Sequence, residues 1–149
     1  MKNYQEFVEN SKYYLDKNLH FITNLANISA YIYQELDQVN WAGFYLYDDL
    51  ELYLGPFQGK PACTSIKMGR GVCGTSAAER QTIVVSNVHE FPGHITCDCE
   101  SNSEIVIPII TRFGQLFGVL DIDSPVYDRF DPALKQALEE IVNLLVDIL

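Results

Sequence analysis

Two pairs of strand-like runs, each joined by a very short turn, limit the folds that this chain can adopt. Residues 41–47 and 50–54 flank a two-residue turn, and residues 104–111 and 115–123 flank a three-residue turn. Runs joined so closely pair antiparallel, because a parallel partner requires a crossover of a dozen or more residues. The sequence therefore predicts a mainly antiparallel sheet.

Helical spacing marks both ends of the chain. Apolar residues recur at intervals of three and four over residues 3–36, which predicts two helices with a break near residues 16–19. Asp131 suits a helix N-cap and Pro132 suits the first helical position, so a closing helix is expected there. Between these ends the pattern predicts short strands at 63–68 and 82–85, a loop at 55–61 and a short helix at 75–79. The prediction is an α+β fold, with about six strands and terminal helices packed on the sheet.

Length and charge narrow the class of protein. The 149 residues predict one domain, residues 1–149, which can bury a core without disulfide or metal support. A net charge of −10 argues against nucleic acid and anionic membranes as partners, because both are recognised by Lys and Arg clusters. The sequence has no apolar run of membrane-spanning length and no signal-peptide pattern at its start, so we expect a cytoplasmic protein.

A long polar run between two predicted strands carries the most reactive side chains. Residues 89–108 contain two cysteines, two histidines and four acidic residues. Loops of this length are more often functional than merely connecting. In a reducing compartment, cysteines are buried thiols, metal ligands or redox groups rather than structural disulfides. The run is therefore the first candidate for a site.

The residues GRGVCG at 69–74 match the dinucleotide-binding pattern G-x-G-x-x-G. That pattern also requires a parallel βαβ unit with an acidic residue at the end of its second strand, and the nearest candidate, Glu90, lies beyond that strand in the polar run. We therefore reject a dinucleotide site. The glycines are instead expected to hold Cys73 near a helix N-terminus, whose dipole favours a thiolate.

Six motifs stand in order between about residues 40 and 130. They read NWAGFY at 40–45, LGPFQGKPAC at 54–63, GRGVCG at 69–74, FPGHITCD at 91–98, SNSEI at 101–105 and GVLDIDS at 118–124. Together they resemble the GAF-fold free methionine-(R)-sulfoxide reductases. The resemblance implies a GAF-like fold and thiol-dependent reduction of free L-methionine (R)-sulfoxide without a bound cofactor.

The resemblance assigns the thiol chemistry to three cysteines. Cys97 matches the catalytic thiol, which attacks the sulfoxide sulfur and becomes a sulfenic acid. Cys63 matches the resolving thiol, which forms a disulfide with Cys97 that an external thioredoxin and NADPH system reduces. Cys73 matches a third family cysteine, here an accessory thiol near the substrate. Family members are often homodimers, so a dimer is also expected.

The resemblance also assigns a substrate pocket. Asp121 and Asp123 match acidic site residues and share one strand face, where both can bind the ammonium group of a free amino acid. Glu104 is expected to protonate or polarise the sulfoxide oxygen, because a carboxyl group crowded by others tends to keep its proton. Trp41 and Tyr45 match the aromatic wall that receives the methyl end of the substrate.

Several alternatives remain open. Cys99 departs from the family pattern and is either an alternative resolving thiol or, as we favour, a bystander, because a disulfide between cysteines two apart closes a strained ring. A zinc site could use Cys97, Cys99, His89 or His94 with Cys63 or Cys73, although paired C-x2–4-C spacing is absent from the sequence. We expect no metal, and we expect both histidines to order the loop by hydrogen bonds. A GAF sensory module that binds a small ligand without chemistry is the alternative function.

Overall fold

The structure is a computed structural model that describes residues 3–94 and 100–149. The helices in these residues are α1 Gln5–Ser11, α2 Phe21–Glu35, α3 Gly71–Glu79 and α4 Pro132–Val146. The strands are β1 Trp41–Tyr47, β2 Glu51–Gly59, β3 Ser65–Lys67, β4 Ile83–Val85, β5 Ser103–Ile110 and β6 Leu116–Ser124. Short 3-10 turns cover Lys12–Tyr14 and Val88–Glu90. None of the helices in these ranges is long and apolar enough to cross a membrane.

All six strands form one sheet in the order β3-β2-β1-β6-β5-β4. Every neighbouring pair is antiparallel. The prediction of a mainly antiparallel sheet with about six strands and terminal helices is confirmed. The two predicted hairpins, β1-β2 and β5-β6, join through the central pair of β1 and β6, so strands from both halves of the chain lie side by side.

The two faces of the sheet pack against different sets of residues. Because successive strand residues point to opposite faces, Phe44, Ile105 and Ile122 lie on one face in a core with residues of α1, α2 and α4. On the other face, Trp41 and Val106 join a smaller cluster that includes residues of α3. The larger core holds the fold together, and the smaller cluster surrounds the polar residues described below.

The predicted loop at 55–61 is largely strand, because β2 continues to Gly59. The sequence pattern predicts breaks at Gly55 and Pro56. In the structure the register of β1 and β2 shifts between Gly43 and Tyr45, and such an irregularity accommodates a proline that cannot donate to the ladder. Gly43 permits the approach, since a Cβ there would collide with Pro56 and Phe57. The neighbouring β3 is shorter than the predicted strand at 63–68.

Helix α3 begins at Gly71, not at residue 75 as predicted. Gly69 and Gly71 have φ angles of 81° and 61°, a left-handed conformation that glycine adopts without a steric penalty. The Gly69 N–H donates to the Gly74 carbonyl oxygen at 2.8 Å. The glycines therefore form the entry to the helix rather than a loop before it.

The predicted helices at the two ends are present. The break between α1 and α2 is longer than predicted and covers residues 12–20, and the Asn24 side chain closes it by hydrogen bonds to the Asp16 backbone. At α4 the Asp131 carboxylate accepts from the Leu134 N–H at 2.8 Å. This is the predicted N-cap, with Pro132 in the first turn.

Candidate active site

A small cavity of about 40 Å³ lies between the sheet and the beginning of α3. It is on the face opposite the large helical core. Strands β1, β5 and β6 supply its floor, and α3 supplies one wall. Six residues that the sequence singled out line it: Trp41, Tyr45, Cys73, Glu104, Asp121 and Asp123.

The strand register brings the three acids together. Glu104 on β5 pairs directly with Asp123 on β6. Asp121 lies two residues before Asp123, so the two carboxyls share the cavity face. Glu104 is 6% exposed and Asp121 5% exposed, whereas Asp123 is half-buried. Glu104, which lies 17 residues before Asp121 along the chain, thus joins the two aspartates in one acidic group with little access to water.

Burial controls the protonation of these acids. Burial raises the pKa of Glu104 well above its usual range, and the negative charge of Asp123 raises it further. Burial also raises the pKa of Asp121, with a further contribution from Glu104. Since two buried carboxylates at close range cannot both ionise cheaply, the group favours a protonated carboxyl. Such a carboxylic acid can donate a hydrogen bond.

Asp121 also connects the acids to a thiol. The Cys73 sulfur and one carboxylate oxygen each from Glu104 and Asp121 lie within 4.8 Å of one another. Asp121 Oδ1 is buried and has no hydrogen-bond partner in the described part of the chain. A buried oxygen that accepts no hydrogen bond lowers protein stability by about 1–3 kcal/mol. A hydrogen-bond donor or a cation in the cavity would remove this cost by binding to Asp121 Oδ1.

The expectation that Cys73 is a thiolate is wrong in this structure. Cys73 is the third residue of α3, close to the helix N-terminus as predicted. Burial nevertheless raises the pKa of the Cys73 thiol well above its usual value, and the charges of Asp121 and Glu104 raise it further. Desolvation and two acidic neighbours outweigh the helix dipole, and the sequence pattern around Cys73 did not reveal either effect.

The aromatic residues form a wall and also hold a neighbouring segment. Trp41 stacks on Tyr45 at a centroid distance of 5.9 Å and on Phe57 at 5.1 Å. The Trp41 indole N–H donates to the Lys60 carbonyl oxygen at 3.0 Å. The Tyr45 hydroxyl donates to the Cys63 carbonyl oxygen at 2.9 Å. The wall therefore fixes the segment that carries Cys63.

The cysteines differ in their state. Cys63 is disulfide-bonded, whereas Cys73 is a free, buried thiol. Cys97, the predicted nucleophile, and Cys99 lie outside the described residues. The part of the zinc alternative that uses Cys97 or Cys99 therefore also lies outside the described residues.

The two histidines have different positions. His89 Nε2 lies 2.9 Å from Asn102 Oδ1, which agrees with a loop-ordering role. His94 lines the cavity, and its Nε2 lies 3.7 Å from Glu104 Oε1. Burial lowers the pKa of His94. Sequence reasoning missed His94 as a cavity residue, although its place three residues before Cys97 was a signal that could have indicated it.

Arg70 is another cavity residue that sequence reasoning missed. It is exposed, directly precedes α3 and lines the cavity. The sequence offers a weak signal, because Arg70 stands inside the glycine motif at 69–74.

Comparison with known proteins decides the family. Residues 17–148 match the GAF domain family. The free methionine-R-sulfoxide reductase of Escherichia coli is 52% identical over 129 residues, which cover 87% of this chain and 78% of that protein. The chain belongs to the GAF-domain family of free methionine-R-sulfoxide reductases. The family member of the same name from Saccharomyces cerevisiae is 44% identical over 137 residues, or 87% of this chain and 76% of that protein.

A solved member of this reductase family supports the fold in detail. The reduced form of fRMsr from Staphylococcus aureus superimposes with a TM-score of 0.94 at 48% identity, and the match covers 99% of this chain and 96% of that one. That protein has also been solved in complex with substrate, and this second structure gives a TM-score of 0.92. The GAF-like fold predicted from the resemblance is confirmed.

Proposed function

We propose that this chain reduces free methionine (R)-sulfoxide to methionine. One observation carries the proposal: an acidic group and an aromatic wall meet in one buried cavity of a reductase-family GAF fold. The relatives from E. coli and S. cerevisiae are named for this activity. The S. aureus relative binds a substrate on nearly the same backbone.

Binding of the free amino acid follows from the charges in the cavity. The substrate ammonium can donate to the buried Asp121 oxygen and to Asp123, which lie on the same face. Charge-assisted hydrogen bonds of this kind are stronger than neutral ones. A methionine sulfoxide inside a peptide has no such ammonium, so the same carboxyl groups would reject it. Trp41 and Tyr45 then contact the apolar end of the substrate.

Glu104 is the proposed proton donor to the sulfoxide oxygen. Its raised pKa favours the protonated carboxyl, and only the protonated form can donate. Protonation withdraws electrons from the S–O bond and makes the sulfur more electrophilic. His94, 3.7 Å from Glu104, lies where it can orient this carboxyl.

The thiols carry the electrons. The Cys97 sulfur attacks the substrate sulfur, the oxygen passes to Cys97 as a sulfenic acid, and methionine leaves. The Cys63 thiol then attacks the sulfenic sulfur, which forms a disulfide and releases water. The disulfide-bonded state of Cys63 supports its part in this cycle. Cys73, buried and protonated, is an accessory thiol beside the acids.

An external dithiol must return the enzyme to its reduced state. Each turnover consumes two electrons and leaves a disulfide that no bound cofactor of the proposed cycle reduces. A thioredoxin-type donor supplied by NADPH is the proposed partner, and the reducing cytoplasm is the proposed compartment. A homodimer remains an expectation from the family resemblance.

The first prediction tests the reaction and its substrate together. In a thioredoxin and thioredoxin reductase assay, free methionine (R)-sulfoxide should drive NADPH consumption, and Cys97→Ser should abolish it. N-acetylated methionine sulfoxide should react at least about tenfold more slowly, because it lacks the ammonium.

Two results would contradict this proposal separately. Absence of turnover with the free (R)-epimer would reject the reductase function. Equal rates for the free and acetylated substrates would reject the ammonium role of Asp121 and Asp123 but not the reaction. As a control for chemistry rather than binding, one equivalent of substrate should remove two free thiols per chain, counted under denaturing conditions.

A further inference from the structure

The cluster of Cys73, Glu104 and Asp121 has the donor set of a divalent metal site. One donor atom from each residue lies within 4.8 Å of the other two. The three residues are buried and come from three different elements, α3, β5 and β6. Their positions are therefore fixed by packing, not by flexible surface chains.

Asp121 gives an independent sign of a ligand at this cluster. Its side chain is 5% exposed, and its Oδ1 has no hydrogen-bond partner among the described residues. The residue lines the cavity. A buried carboxylate oxygen without a donor favours a cation more strongly than it favours an apolar neighbour.

We propose that Cys73, Glu104 and Asp121 bind Zn²⁺. Zinc accepts sulfur at about 2.3 Å and carboxylate oxygen at about 2.0–2.2 Å in tetrahedral geometry. Those bond lengths place ligand atoms about 3.4–3.6 Å apart. Since the donor atoms already lie within 4.8 Å of one another, side-chain rotations that close each separation by at most about 1.4 Å complete the site. The thiol selects zinc over Mg²⁺ and Ca²⁺, which prefer oxygen ligands.

The cavity supplies the fourth position. Its volume of about 40 Å³ exceeds the roughly 10–15 Å³ needed for one water molecule. Three protein ligands and one water match zinc sites that keep an open position. On binding, the Cys73 thiol and any protonated carboxyl release protons to solvent, and no electrons are transferred.

Bound zinc would exclude the substrate. This consequence rests on the proposed function, in which Glu104 and Asp121 contact the sulfoxide and the ammonium. The metal and the substrate would then compete for the same carboxyls. Zinc would act as a reversible inhibitor that also occupies the Cys73 thiol.

The test uses Co²⁺ as a spectroscopic probe that Zn²⁺ displaces. The protein is Cys99→Ser with Cys63 disulfide-bonded, after a thiol count shows one remaining thiol per chain. One equivalent of Co²⁺ should produce a thiolate-to-cobalt charge-transfer band, and Zn²⁺ should remove it. Cys73→Ala and Cys73→Ser should both lack the band. Asp121→Asn should bind at least about tenfold more weakly, whereas the control Asp147→Asn, which removes an exposed acid, should retain the band.

The outcomes separate the two proposals. Absence of Co²⁺ binding, or a band that persists in both folded Cys73 variants, would overturn the metal site. Circular dichroism verifies the fold of each variant. Two substitutions of Cys73 are made so that the test remains possible if one of them does not fold. Methionine sulfoxide should weaken Co²⁺ binding, and binding indifferent to it would overturn the exclusion. A protein that binds Co²⁺ but lacks reductase activity would keep the metal site and reject the proposed function.

Discussion

At the scale of single residues, Glu104 shows how position on a strand sets chemistry. It pairs with Asp123 across the β5-β6 ladder and is almost fully buried. We predict that Glu104→Gln lowers kcat/KM roughly 10²- to 10⁴-fold, the range for loss of a general acid. Wild-type activity should fall as pH rises through the raised pKa of Glu104, because ionisation removes the donated proton.

The pH profile distinguishes this role from a structural one. In the wild-type enzyme, ionisation of Glu104 should make activity fall at high pH. This fall should be absent from the pH profile of Glu104→Gln. Exposed Glu90 offers a matched control, and Glu90→Gln should leave both rate and profile unchanged. A Gln variant with wild-type kcat/KM would refute the assignment of Glu104 as proton donor.

The buried Asp121 affects how protein stability depends on pH, in addition to its proposed role in substrate binding. Its folded pKa is raised above the usual value of 3.8, so the folded state binds more protons than the unfolded state. Its contribution is fully present below the unfolded pKa and is lost as pH rises through the folded pKa. We predict that Asp121→Asn reduces the fall in Tm that accompanies a rise in pH above 3.8, and that it also weakens substrate binding.

Thermal unfolding of reduced protein at several pH values measures this effect. Asp147 is exposed, so Asp147→Asn serves as the control for removal of one negative charge. If both variants change the pH dependence of Tm equally, net charge rather than burial of Asp121 explains the effect.

At the scale of secondary structure elements, α4 illustrates a stabilising feature far from the cavity. The Asp131 side chain accepts from the Leu134 N–H, and loss of an N-cap costs about 0.5–2 kcal/mol. We predict that Asp131→Ala lowers the free energy of unfolding by this amount, measured by urea denaturation. Asp131→Ser retains a capping oxygen and should recover most of the loss.

Activity at low temperature gives the second readout for that variant. Residues of α4 pack in the core on the sheet face opposite the cavity. The folded Asp131→Ala enzyme should therefore keep its kcat/KM. A large loss of activity without loss of stability would show that α4 influences the cavity directly.

At the scale of the whole molecule, local patterns predicted most of the fold. Short turns determined strand pairing, and the Asp131-Pro132 signal located α4. The extent of β2 could not be predicted, because Pro56 is tolerated only through an irregular register opposite Gly43, which is a long-range contact. The start of α3 was missed for a similar reason: the glycines act through φ angles that side-chain pattern does not encode.

The site was predictable to a different degree. Alternation along the predicted strand places Asp121 and Asp123 on one face, and the motifs indicate Trp41 and Tyr45. The proximity of Cys73 to the acids depends on how α3 packs against β5 and β6, which no local pattern specifies. Its raised pKa was therefore unpredictable from the residues around it.

The unequal faces of the sheet also have an evolutionary consequence. Helices α1, α2 and α4 build one large core on a single face, so the scaffold does not depend on the cavity side for most of its apolar packing. Acids that are unfavourable for folding can then accumulate on the other face without unfolding the protein. Substitutions at the strand positions that face the cavity can therefore change which ligand binds. The intervening positions, which face the helical core, keep the fold stable.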